Sequence, residues 1–191
     1  MFHQFTNTQI IIAVAVLVIV AIVVLEHLRR RKAKTAAFRS RFGTEYDRAV
    51  NEHGSSGKAE ANLADRESRV HALKIREIGA TERERFINEW QTLQSRFLDH
   101  PAAAVTEADG LIASLLEARG YPKDGFDQRA ADVSVLYPGV MENYRAAHAI
   151  AVLPYRAEEN TEKLRTAMIQ FRAIFDKIVQ DQSPQEKKSA A

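Results

Sequence analysis

The sequence predicts an all-α protein: an N-terminal transmembrane helix, a basic stalk, then a bundle of five to seven helices. Three observations carry this. Residues 10–25 are all Ile, Val, Leu or Ala. Between residues 42 and 180 apolar residues recur three and four apart, the period of one helix face. Glycine is scarce, Ala, Glu and Arg recur throughout, and nothing reads as a pair of alternating strands.

The apolar run is sixteen residues long. As a helix it spans roughly 24 Å, a little less than the roughly 30 Å hydrocarbon core of a bilayer. Thr8 and Gln9 before it and Leu28 after it extend the span to about 8–28, with Glu26 and His27 at the interface. β-Branched residues are poor helix formers in water, but in lipid every backbone group must be bonded internally, so helix wins. A buried strand of this length has no partner in the chain. A cleaved secretory signal carries positive charge before its apolar region and small residues after it. Here residues 1–9 hold no Lys or Arg, and the run closes on Glu-His-Leu-Arg-Arg-Arg-Lys. The positive-inside rule then predicts a single-pass protein of the cell membrane, N-terminus outside and the C-terminal domain cytoplasmic.

Residues 29–41 contain seven basic residues and no acid. The whole chain carries 27 basic and 25 acidic residues, net +2; residues 42–191 carry 20 basic against 24 acidic, net −4. The basicity is therefore local. Arg29, Arg30, Arg31, Lys32 and Lys34 are the expected contacts to the bilayer surface, each worth about 1 kcal/mol near an anionic leaflet. Fixing topology alone would also account for them. Nucleic acid is an unsuitable partner, because the acidic remainder repels a phosphate backbone.

The expected organisation is an anchor over 1–28, a basic stalk over 29–42, one helical domain over 43–180 and a disordered tail over 181–191. Thr44 is positioned to cap a helix over 45–53, with Asp47 three residues on and an apolar edge of Phe42, Tyr46, Ala49 and Val50. Residues 53–57 form a turn before a charged helix over 58–73, which buries Ala59, Leu63, Val70 and Leu73; Ile75 and Ile78 fall in a connector. Thr81 and Glu84 have capping-box spacing ahead of the stripe Phe86, Trp90, Leu93 and Phe97. Asp99-His100-Pro101 opens a helix striped with Ala104, Ala108, Leu111, Ile112 and Leu115, which ends at Arg119-Gly120-Tyr121-Pro122. A short helix covers 126–133. Pro138 starts another to about Leu153, with Val140, Met141, Tyr144, Ala147 and Ala151 inward. Asn160 or Thr161 caps the last helix, where Leu164, Met168, Phe171, Phe175 and Ile178 repeat at four, three, four and three.

Motifs for chemistry are lacking. Gly54-Ser55-Ser56-Gly57-Lys58 has two residues between its glycines where a P-loop has four, Ala59 follows the lysine, and a helix rather than a strand precedes it. None of the six histidines falls in an HxxxH or carboxylate-x-x-His spacing, and there is no GxSxG turn and no Cys. No disulfide or thiolate metal site can exist. No cofactor, metal or catalytic residue is predicted. The densest set of functional side chains lies at 119–148. Arg119, Arg129, Tyr137, Tyr144, Arg145 and His148 are the candidate groove there, with Arg129 and Arg145 as anion contacts. Tyr144 and His148 are four apart, on a side shared with Met141 and Val152. A histidine on such an apolar face is more often a hydrogen-bonded structural residue than a ligand or base.

Four segments, Phe-Gly-x-Glu-Tyr-Asp-Arg-Ala-Val (42–50), Arg-Gly-Tyr-Pro (119–122), Gln-Arg-Ala-Ala-Asp-Val-Ser-Val (128–135) and Tyr-Arg-x-Ala-His (144–148), are distinctive. With them the chain resembles an uncharacterised bacterial family of membrane-anchored helical proteins, over most of residues 42–180. The resemblance implies a bacterial origin and a tethered helical domain; it implies no activity, substrate or catalytic residue.

The sequence-based expectation is a non-enzymatic helical module that binds a protein partner at the cytoplasmic face of the membrane. The alternative is a sensor or enzyme for a small anionic ligand, with its pocket at 119–148. A homodimer through the heptad-like last helix is a third option.

Overall fold

The computed structural model describes residues 7–153 and 161–181. The predicted cap Asn160 and the tail residues 182–191 lie outside them. The chain divides into two compact units between Arg41 and Phe42. Among the described residues every regular element is helical.

The first unit is one helix. α1 (Asn7–Phe42) runs 36 residues without a break, about 54 Å at the ordinary rise, so the expected span and stalk are a single rod. Its apolar side chains from Ile12 to Leu28 are about half exposed or more. Leaving one Leu, Ile or Val in water forgoes roughly 1.5–3 kcal/mol each. The helix is long and apolar enough to cross a membrane. The helix stops at Gly43, whose φ of 54° and ψ of −126° suit glycine and few other residues.

Among its described residues the second unit holds seven helices, the upper end of the expected range. They are α2 (Thr44–His53), α3 (Ser56–Ala72), α4 (Ala80–Arg96), α5 (Pro101–Ala118), α6 (Phe126–Leu136), α7 (Met141–Ala151) and α8 (Thr161–Gln180), with a 3-10 turn, Pro138–Val140, ahead of α7. α8 is the spine: it packs along α7 and α5, α4 packs on α5 and meets α8 through the stacked Trp90 and Phe175 rings, and α3 pairs with α2 and α6. The stripe of α8 is buried in full, and Ala167, Ile174 and Val179 are buried beside it. That face is wider than a two-position coiled-coil seam, and it is consumed inside the domain.

Several local expectations are adjusted. Gly43, not Thr44, precedes α2, and no side chain caps that end. α4 starts at Ala80 rather than after Thr81: the Gly79 N–H donates to Glu82 Oε2 at 3.3 Å, and Arg83 N–H donates to the Gly79 carbonyl at 2.9 Å. The acid three residues after the cap is thus Glu82, not Glu84. Ser55 does cap α3, accepting from Lys58 N–H at 3.4 Å. The helix predicted from Pro138 begins as one 3-10 turn, Pro138–Val140, and becomes α-helical from Met141. Val140, Phe97, Val50, Leu73 and Ala151 are half-buried rather than core, and Val152 is exposed. Asp181, assigned from sequence to the tail, belongs to the domain, as its partners below show.

Candidate functional site

Basic residues in α1 form a collar. Arg29, Arg30, Arg31 and Lys32 are consecutive and all exposed; at about 100° per residue they point to every side of the rod. Lys34 follows, its ammonium 5.7 Å from the Phe38 ring. Arg30 donates to Glu26 one turn earlier at 3.0 Å, an exposed pair worth a few tenths of a kcal/mol. A ring of cations directly after an apolar helix fits a rod that passes through a headgroup layer, where long basic side chains keep their heads in water.

The six candidate groove residues divide into three sets. In the first, Arg119 at the end of α5 is fully buried. Its Nη1 donates to the Asp181 carbonyl and its Nη2 to the Tyr137 hydroxyl at 3.2 Å. Tyr137 in turn donates to Asp181 Oδ2 at 2.6 Å. Burial pushes the Tyr137 hydroxyl well above its ordinary pKa, and the bond to Asp181 reinforces this by favouring the protonated form. Burial raises Tyr121 next to it as well, while the Arg119 charge draws it part of the way back. Dehydrating a guanidinium costs several kcal/mol; the acceptors reached by its two Nη atoms offset that cost, while its Nε is buried with no partner among the described residues.

In the second set, Arg129 Nε donates to the Tyr144 hydroxyl at 3.1 Å and Nη1 to the Asp124 carbonyl at 3.1 Å. Burial raises the Tyr144 pKa, and the Arg129 charge opposes it. Phe126 touches both groups: its ring stacks on His148 with centroids 3.5 Å apart and planes within 4°, and meets Tyr144 edge-on at 5.0 Å. His148 Nδ1 sits 2.9 Å from Asp109 Oδ2 on α5. His148 is therefore hydrogen-bonded and stacked.

In the third set, Arg145 on α7 pairs with Glu45 on α2, whose other oxygen is 3.9 Å from Arg66 on α3. Glu45 and Arg66 are buried. Burial lowers the Arg66 pKa; the Glu45 and Glu52 carboxylates resist that shift. A related pair lies nearby in sequence: Asp132 on α6, 1% exposed, accepts from Arg69 Nε at 2.8 Å and Gln128 Nε2 at 3.0 Å. Glu45, Arg66, Arg69, Asp109 and Asp181 were not singled out by sequence reasoning. No local spacing marks them, because each finds its partner through the fold.

Each arginine of the predicted groove donates to acceptors of its own chain. Chemically these sets tie helices together: α5 to the end of α8, α6 to α7 and α5, and α7 to α2 and α3. The three described surface cavities lie elsewhere, two between α4 and α8 and one between α4 and α5. Among the described residues no group of three His, Asp or Glu could hold a metal ion. No family model, curated protein or solved structure matches the chain.

Proposed function

We propose that this protein is a single-pass, membrane-anchored helical module that binds a protein partner at the cytoplasmic face of the cell membrane. What supports the reading is one juxtaposition in the chain. The apolar stretch of α1, about half exposed or more, leads into an all-round basic collar, and in the domain that follows the buried Glu45, Arg66, Arg119 and Asp132 each have a partner in their own chain. The first feature calls for lipid; the second gives the domain the character of a rigid adaptor. The collar sets the orientation, since basic residues resist translocation.

Affinity-tagged full-length chain, recovered from detergent-solubilised membranes, is expected to bring down a specific protein. Recovery of nothing above background would sink the adaptor reading. Fractionation tests the anchor: the chain should stay with the membrane through high salt and alkaline carbonate and leave only with detergent. The ligand-binding alternative has narrower support, from the contact of Arg129, Phe126, Tyr144 and His148, and no described cavity is lined by that set.

A further inference from the structure

We infer that the channel between α4 and α8 is the partner's seat, and that its occupant is an acidic amphipathic helix. This rests on the adaptor reading above and specifies the surface. α4 and α8 meet through the Trp90–Phe175 stack and through Arg83 Nε, which donates to the Val179 carbonyl at 3.2 Å, and a surface trough lined by both helices runs along this contact. Trp90 and Phe175 fill its floor, stacked with centroids 4.8 Å apart and planes at 24°. Two cavities follow one another along it, of about 250 and 370 Å³, sharing Trp90 and Arg172 as common wall. Together they run beside α4 from Arg83 to Phe97, about 21 Å of helix. A long, open, apolar-floored trough flanked by two helices is the shape that accepts a third.

The exposed apolar side chain belongs to this trough. Ile169 is 66% exposed in the middle of α8, on a helix whose other large aliphatic residues are buried, and it lines the first cavity with Phe97 and Met168. Charge selects the occupant. The first cavity is lined by Arg165 and Arg172 and by no acid; the second is lined by Arg83, Arg172 and Asp176, with Arg83 donating to the Ile78 and Val179 carbonyls. Each arginine of the first cavity meets an acid at one edge: Glu162 is 3.7 Å from Arg165 in a largely exposed pair, and Asp176 takes the Nε edge of Arg172 at 2.7 Å. Arg172 also reaches Gln94 across the trough at 3.3 Å and lies 5.7 Å from the Trp90 ring. Two arginines and no acid on the lining make the first cavity locally complementary to carboxylates, against the net −4 of residues 42–191. The chain's own residues 182–191, with Lys187 and Lys188 against Glu186, carry the wrong sign.

Trp90 is the only tryptophan in the chain and therefore reports on the trough directly. Full-length protein in lipid nanodiscs is titrated with a helical peptide bearing leucines on one face and glutamates flanking them, and with its twin carrying lysines instead. The glutamate peptide should change Trp90 emission saturably, with an affinity at least about tenfold above that of the lysine twin. The exposed double variant Arg165→Glu/Arg172→Glu should invert that order, and Ile169→Asp should weaken both peptides. Equal response to the two peptides, no saturable response, or an unchanged order in the double variant overturns the inference. A partner recovered from membranes equally well by wild type and by the double variant would leave the adaptor reading standing and remove this surface from it. An empty pull-down beside charge-selective peptide binding would do the reverse.

Discussion

Arg119 is the residue on which the closing of the domain depends. It is fully buried, and it joins the end of α5 to Asp181, 62 positions later, through a carbonyl, a carboxylate and the Tyr137 hydroxyl. Removing one member of a buried ionic set strands the others without water. Arg119→Ala should therefore lower unfolding free energy by about 3 kcal/mol, read as a fall in the denaturant midpoint of the full chain in detergent; a change within error would mean the set is dispensable. Tyr137 gives a pH signature. Its folded pKa lies above the roughly 10 of a free tyrosine, so the folded state holds the proton more tightly. That contribution is complete below about pH 10 and is lost as pH rises past it. Stability should fall steeply on the alkaline side, and Tyr137→Phe should flatten the fall while costing about 1 kcal/mol at neutral pH. Equal alkaline slopes for the two proteins would refute this. The sequence singled out Arg119 and Tyr137 as functional in type, but it could not show their partner. Nothing local to Asp181 distinguishes a residue tied into the core from the first residue of a polar tail.

At the scale of elements the sequence was most informative where period and burial coincide. Phe86, Trp90 and Leu93 of α4, Ala104 to Leu115 of α5, and Leu164 to Ile178 of α8 are buried as their spacing requires. Helix ends were less legible. A cap needs only an acceptor and a free N–H, and Gly79 with Glu82 supplies both as well as Thr81 with Glu84 would. Glycines show which ends are tightly constrained. Gly120 has φ +100°, and a Cβ there would stand 2.5 Å from the Lys74 carbonyl oxygen. The same turn is pinned by Arg76 N–H donating to the Arg119 carbonyl at 2.8 Å. Gly54 also has positive φ, 74°, but opens on empty space. Gly54→Ala should thus cost about 1 kcal/mol from backbone preference alone. Gly120→Ala should cost clearly more, about 3 kcal/mol, because the Lys74–Gly79 connector must move. Thermal melts of the two variants decide it; equal losses would mean that the connector yields freely.

For the whole molecule the decisive property is charge asymmetry along the rod and domain. Residues 1–41 carry seven basic residues and one acid, net +6, against −4 for the rest. All of the basic charge in that segment lies on the C-terminal side of the apolar run, so orientation should be set strongly and from one flank. The lack of native cysteine permits a clean test. Thr6→Cys, ahead of the apolar run, and Ser68→Cys, exposed on α3, are offered an impermeant maleimide in intact cells. The first should label at once and the second only after permeabilisation. Replacing Arg29, Arg30, Arg31 and Lys32 together by glutamate removes the retained flank and should scramble or invert the pattern. The apolar helix itself is unaltered, so membrane association should persist. Labelling of position 68 in intact wild-type cells would place the domain on the other side of the membrane, and the collar would then have to be explained by its contact with anionic headgroups rather than by topology.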